Sequence, residues 1–402
     1  VMEASRDPER FLAMIRAQDI SRLLSICNVA RSKAEHLAEL YASKEPVLSL
    51  ISWGLQRYTH GGENVRFINA LSFLAGHVGR PGGGAVFNHS SARNFHPWHR
   101  EAGEYGRKLL LQDLPNELAK ADPPVRMIWV DGHNLVNQIP DARAMARAFE
   151  QTEVTVVVDA FMTDTALRAD LVLPCALPLE REDVYGSFLH NYVNYAGPCL
   201  EPPGEALEDF QIMKGLGERL GRPIAFPDSE DILARAIRED MIPGGINTLR
   251  EKGFARAEQS MVAFENLRFG HEDGQYRFPN APSPEETAPH GFPLRLLSLI
   301  DRNHIHSQIL ESEQEGRLKA WVAPDNPHSP TPGPATLESP LGRIEVELAH
   351  LPGLHPEVVA VRRGGWLKYE LSPNAVIPCR MTDMGHGCAF YSTWVRLLPG
   401  QE

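Results

Sequence analysis

Only five cysteines stand in the 402 residues, and no two of them form a Cys-x-x-Cys pair. That excludes a zinc knuckle or an iron–sulfur cluster loop encoded by local spacing. Positive charge is in the minority: 40 Lys and Arg against 52 Asp and Glu leave a net charge of −12. With no basic run or basic-aromatic stripe either, a nucleic-acid surface is excluded. No apolar run approaches the roughly 20 residues that cross a bilayer as a helix, so no direct membrane span is expected. No strand-linked Gly-x-Gly-x-x-Gly turn occurs, which argues against an ordinary nicotinamide dinucleotide site. The charged opening VMEASRDPER does not read as a secretory signal. A reducing, cytoplasmic setting with mostly buried thiols is therefore expected. Cys27, in an apolar helical pattern, is expected in a core.

What is present is an ordinary globular composition, 43% hydrophobic and 23% charged. The length suffices for two or more domains with their own cores. The chain is organised around residues 154–189. Val154 to Val158 is a β-branched run that stops at Asp159, the pattern of a strand buried on both faces in a parallel sheet. Ligands of α/β folds bind at the carboxyl ends of such strands, where Asp159 and Thr163 stand. Val125 to Val130 is a second buried strand ending in Asp131-Gly-His-Asn134, and residues 141–150 form the helix between the two. Leu171 to Leu173 follows as a third strand. Strand, helix, strand in this order predicts a doubly wound parallel α/β sheet.

Upstream, residues 8–43 read as helices with Phe11, Ile15, Leu37 and Leu40 at helical spacing. Val47 to Ile51 is a short strand, Gln56 to Glu63 a polar loop, and Asn64 to Ala75 a helix leading into the glycine-rich Gly82-Gly83-Gly84. Downstream, His271 to His290 is rich in Pro, Glu and Gly and reads as a linker. Five short strands separated by Pro and Gly turns then predict a β-barrel: 294–300, 319–322, 342–348, 358–362 and 394–398. The expected division is 1–225 for the α/β domain, 226–289 for a helical excursion and linker, and 290–402 for the barrel.

Phe161-Met-Thr-Asp-Thr-Ala, Ala169-Asp-Leu-Val-Leu-Pro and then Glu180 resemble the pterin-binding core of the molybdopterin oxidoreductases, the dimethyl sulfoxide reductase family. The resemblance implies a double-psi barrel that caps the pterins, and a cofactor of two molybdopterin guanine dinucleotides (bis-molybdopterin guanine dinucleotide) holding molybdenum or tungsten. It implies guanine contacts from Asp159 and Thr163; a carboxylate matches the N1–H and exocyclic amine of guanine with two hydrogen bonds. Gly132 and Asn134 correspond to a turn against the nucleotide, and Asp209 opens the helix that closes the domain. His306, Ser307 and Gln308 resemble the segment where the barrel meets a pterin, and Asn374 a later cofactor contact. Ser91 and His89 follow the glycine-rich loop, at the place facing the metal. His89 is the candidate proton-handling residue, since imidazole titrates near neutral pH. His89-Ser90-Ser91 departs from the Arg-Gly-Gln of formate dehydrogenases, which counts against formate.

For several residues a plain structural role competes. Asp170 is expected to hold the turn before its strand, Glu180 and Glu182 to make structural hydrogen bonds, and Trp366 to lie in a core. The resemblance covers only the C-terminal part of the family's length. No residue here corresponds to the metal's protein ligand. A missing N-terminal region or companion chain is expected to carry that ligand and an iron–sulfur cluster, and an electron-transfer protein is a further expected partner. The implied function is two-electron redox or oxygen-atom transfer. The alternative is a non-catalytic homologue serving as scaffold in a larger electron-transfer complex.

Overall fold

The computed structural model describes residues 1–43, 45–88, 91–96, 106–225, 228–258, 262–284, 286–400. Three strands, β1 (Met127–Asp131), β2 (Val154–Val158) and β3 (Leu171–Leu173), form a parallel sheet in the order 1-2-3. Val158 pairs with Asp131 on one side and Leu173 on the other, so all three strands end at one edge. Thr155 to Val158 are buried, as the unbroken β-branched run predicts. Helix α1 (Ala142–Glu150) buries Ala142, Met145, Ala146 and Phe149, a spacing of three and four residues, against Val130, Ile139 and Val157. Asp141 caps it by accepting a hydrogen bond from the Ala144 amide at 3.1 Å. Asp170 does hold its turn: its carboxylate accepts from both the amide and the hydroxyl of Thr155, at 2.7 and 2.8 Å.

Six strands close a barrel: β4 (Leu294–Leu299), β5 (Leu318–Val322), β6 (Gly333–Ser339), β7 (Gly342–His350), β8 (Val358–Arg362) and β9 (Thr393–Pro399). The ring order is 4-8-5-7-6-9. Pairs 4·8 and 5·7 are parallel, the others antiparallel. Exchanging β4 with β7, β5 with β8 and β6 with β9 maps the ring and its strand directions onto themselves, a pseudo-twofold. Ile344, Val346 and Leu348 alternate inward along β7 into the barrel core. Trp366 is buried, as expected.

Four expectations need correction. The barrel has a sixth strand, β6, which the prolines of Asn326 to Pro334 hide in the sequence. The loop expected from Gln56 to Glu63 is shorter: Trp53–Arg57 is a 3-10 turn, and helix Gly61–Leu74 starts after only Tyr58, Thr59 and His60. The stretch from His271 is not a free linker. Tyr276–Arg277 pairs with Ser5–Arg6, and Phe278 stacks on Phe11 at 4.5 Å between ring centroids. Aromatic burial outweighs the flexible composition around it. Finally, Cys27 is exposed, Cys199 is exposed, and the other three thiols are only partly buried. The helix before Cys27, Ile20–Ile26, buries no residue, so apolar periodicity there has no core behind it.

Sheet and barrel are clasped together. Asp164, 1% exposed, accepts hydrogen bonds from the Lys368 amide at 3.0 Å and the Asn137 side chain at 3.2 Å. Asn137 accepts from the Leu367 amide at 2.9 Å, and Asn374 donates to the Asn137 carbonyl at 2.7 Å. Further round, Asp383 accepts from the amides of Gly62 and Glu63, both at 2.9 Å.

Candidate functional site

A cleft of about 400 Å³ opens along this clasp, within the size range of small-molecule sites. The α/β side contributes His133, Asn137 and Gln138 from just beyond β1, together with Gln56 and Arg57 from the 3-10 turn. The barrel side contributes His306, Ser307, Arg363, Asn374 and Cys388. Gln138 donates to the Ser307 hydroxyl at 3.0 Å across the cleft.

Local backbone geometry sets these positions. His306 has a left-handed φ of 51°. Gly364 lies so close that a Cβ there would fall 1.7 Å from the His306 carbonyl oxygen. Its own φ of 95° suits glycine alone. The next-door Arg363 is thereby aimed into the cleft, where its Nε and Nη1 are buried without a partner among the described residues.

Arg57 lies over the rings of Phe390 and Tyr391, 5.0 and 5.8 Å from their centroids. Burial lowers the pKa of both guanidiniums, and for Arg363 the charge of Arg57 adds to the effect. His306 is lowered by burial, then by Arg363 and Arg57. His133 is lowered by burial, against a hydrogen bond with Gln138. No carboxylate pairs with Arg57 or Arg363 among the described residues. Two concentrated, partly desolvated positive charges without acids favour an anionic ligand.

A second, acidic group stands at the carboxyl edge of the sheet. Asp159 is raised by burial, against amide hydrogen bonds from Phe161 and Ala160. Asp131 is raised by burial and by Asp209 and Asp159, with Arg181 opposing. The Cys175 thiol is pushed up to about 11 by burial and by the same three carboxylates. Such a group can accept hydrogen bonds from a donor-rich edge.

The predicted residues therefore fall into separate sets. His306, Ser307 and Asn374 line the cleft. Gly132 and Asn134 flank His133. The Gly132 amide donates to the Val158 carbonyl at 3.0 Å, and buried Asn134 accepts from the Thr165 hydroxyl at 2.7 Å. Asp159 and Asp209 belong to the acidic edge. Thr163 is buried, and its hydroxyl accepts from the Ala166 amide at 3.2 Å, a turn-holding role. Gln308 is exposed and outside the cleft lining. Ser91 opens a 3-10 turn packed against Gly186, also outside the lining. His89 lies outside the described residues. Glu182 is held by Arg250 at 2.7 and 2.9 Å, and Glu180 accepts from the Leu177 amide at 2.8 Å, as structural roles predict. Sequence reading missed Arg57, Gln138, Arg363 and Asp131. Asp131 ends its strand as Asp159 does, a signal open to inspection; the arginines carry none.

The model of the molybdopterin oxidoreductase family matches residues 16–219. The chain belongs to that family. Among curated relatives, it is 28% identical to "Probable oxidoreductase YyaE" of Bacillus subtilis (strain 168), over 99% of this chain and 66% of that protein. It is 25% identical to "Probable oxidoreductase YoaE" of the same organism, over 95% of this chain and 61% of that one. With "Biotin sulfoxide reductase" of Cereibacter sphaeroides it shares 29% over 45% of this chain and 27% of that protein. Acetylene hydratase from Pelobacter acetylenicus shares the fold at a TM-score of 0.62 and 17% identity, over 72% of this chain and 46% of that one. The chain thus spans about two thirds or less of the length of these relatives. No helix among the described residues is long and apolar enough to cross a membrane.

Proposed function

We propose that the cleft and the acidic edge together hold molybdopterin guanine dinucleotide, as part of a molybdenum or tungsten oxidoreductase. The observation that carries this reading is the pair Arg57 and Arg363, two guanidiniums without acids in one interdomain cleft. A phosphate-bearing cofactor supplies the missing negative charge. Ser307, Asn374 and Gln138 offer donors and acceptors for the amide edges of a pterin. Asp159, beside Asp131 and Asp209, offers the acceptors that guanine requires. The pseudo-twofold barrel is read as the double-psi type, covering the pterin side.

When bound, the group supplies two-electron redox chemistry at the metal, with or without oxygen-atom transfer. The chain's own part is to orient the group, screen its charge and exclude water. His306, its pKa lowered by burial and by Arg363 and Arg57, stands at the cleft wall. A second dinucleotide, the metal's protein ligand and an iron–sulfur cluster are assigned to polypeptide outside these residues, with an electron-transfer protein beyond it.

The test is on protein from its source cells with companion chains retained. Molybdenum and tungsten are read by mass spectrometry, and released pterin by fluorescence. Arg57→Ala and Arg363→Ala are each expected to lower pterin retention about tenfold, the scale of one charge-assisted contact. Asp159→Ala is expected to do the same. Unchanged retention in all three sinks the assignment, and metal-free, pterin-free protein favours a scaffold.

A further inference from the structure

Two arginines stand side by side at the end of β8, and only the second lines the cleft. Arg362 is the last residue of β8 and pairs in register with Leu299 of β4. The Arg363 amide donates to the Leu299 carbonyl at 2.8 Å, so the strand's pairing runs on through it. Successive side chains of an extended strand point to opposite sides. With Arg362 held on the side away from the cleft, Arg363 must face into it. The sequence Val361-Arg362-Arg363-Gly364 does not say which of the two is held.

The hold on Arg362 comes from the connection between β4 and β5, the segment that also carries His306 and Ser307. Arg362 donates to Nδ1 of His304, and its Nε lies 3.5 Å from the Asp301 carboxylate. On the far side of the ring, Nε2 of His304 donates to Glu313 at 3.1 Å. Both acids are themselves seated. Asp301 accepts from the Asn303 amide at 3.1 Å, and Glu313 from the Leu310 amide at 3.0 Å. The His304 side chain is only 18% exposed, so water has little room to replace either partner. The partners also fix the state of the ring. A guanidinium has donors only and an ionised carboxylate has acceptors only, so Nδ1 must be bare and Nε2 must carry the hydrogen. A doubly protonated ring would turn an N–H against the Arg362 N–H, so this arrangement requires neutral imidazole.

We infer that His304 is a positioning residue for the cleft: its neutral imidazole, bridging Glu313 and Arg362, holds Arg362 outside and so delivers Arg363 to the ligand. The same bridge ties the His306-Ser307 wall to the Arg363-Gly364 wall, which meet where Gly364 packs on the His306 carbonyl. His304 is not itself in the cleft lining and acts through Arg362. The consequence for the ligand rests on the proposed role of Arg363; the bridge does not.

The experiment compares wild type, His304→Gln and His304→Leu, each made in the source cells with companion chains retained. Glutamine keeps an acceptor for Arg362 and a donor for Glu313; leucine offers neither. His304→Leu is expected to lower released pterin about tenfold, the scale of one charge-assisted contact, and His304→Gln to stay within about twofold of wild type. Retention unchanged in His304→Leu, or lost equally in both variants, overturns the inference. Phenylglyoxal labelling of arginines, read by peptide mapping, needs no cofactor. Arg362 is expected to label about tenfold faster in His304→Leu than in wild type or His304→Gln, and equal rates overturn the inference. In wild type, long-range proton–nitrogen spectra of isotope-labelled histidine at about pH 8 should show His304 protonated at Nε2 alone; an Nδ1–H ring overturns it. Faster Arg362 labelling in His304→Leu, where even wild type holds no pterin, refutes the cofactor reading and leaves the bridge standing.

Discussion

At the residue scale, surroundings separate thiols that the sequence presents alike. Cys27 and Cys199 are exposed. Burial pushes Cys388 up to about 11, with Arg57 pulling the other way, and pushes Cys379 up to about 12, with Asp113 and Asp141 adding. Cys175 also stands at about 11. Only the thiolate reacts, and a raised pKa means that little thiolate exists near neutral pH. In the isolated chain, iodoacetamide at pH 7.5 is expected to modify Cys27 and Cys199 first, as peptide mapping will show. The other three should gain reactivity as pH rises toward 11; equal labelling of all five at pH 7.5 would contradict these environments.

At the scale of elements, the start of helix Gly61–Leu74 depends on a residue over 300 positions away. No side chain of its own caps it. Asp383, on the barrel's last connection, supplies both acceptors for Gly62 and Glu63. Thr59 is tied to the same connection, its amide donating to the Ser392 hydroxyl at 2.9 Å. Arg57 stands directly before this joint, so the cap fixes a cleft residue as well as a helix. Asp383→Ala is expected to cost about 1 kcal/mol, the usual worth of an N-cap. It should also speed amide exchange at Gly62 and Glu63 more than at Ala70, mid-helix. Uniform exchange along the helix would show that the cap has no local effect. Pattern reading placed this helix three residues late, because a cap supplied from the barrel leaves no Ser-x-x-Glu signature nearby.

For the whole molecule, Asp164 is a buried carboxylate that ties the sheet side to the barrel side through the Lys368 amide. Its carboxylate also pairs with Arg168 at 3.3 Å. Asp164→Ala leaves the Lys368 amide, the Asn137 side chain and Arg168 with lost partners, at about 1–3 kcal/mol for such unmade buried bonds. Denaturant unfolding should show the sheet and the barrel shifting together to lower midpoints. Fluorescence of Trp129 in β1 and Trp321 in β5, each followed with the remaining tryptophans replaced by phenylalanine, reports the two. A shift of one alone would show that the clasp does not couple them.

The sequence by itself determined the parallel strands, the helix between two of them and five of six barrel strands. These rest on local periodicity and on β-branched runs, which read the same in any context. It also determined the family, through the fixed spacings around Phe161 and Ala169. The tertiary structure alone decided which residues share a cleft. Arg57 and Arg363 lie 306 positions apart and meet only because the barrel docks on the sheet. Ser307 is buried in the cleft wall, whereas its neighbour Gln308 is exposed outside it. Cys27, Leu37 and Leu40 carry the pattern of a core, yet they are exposed. Periodicity reports that a face is apolar; only the packed neighbours report what covers it.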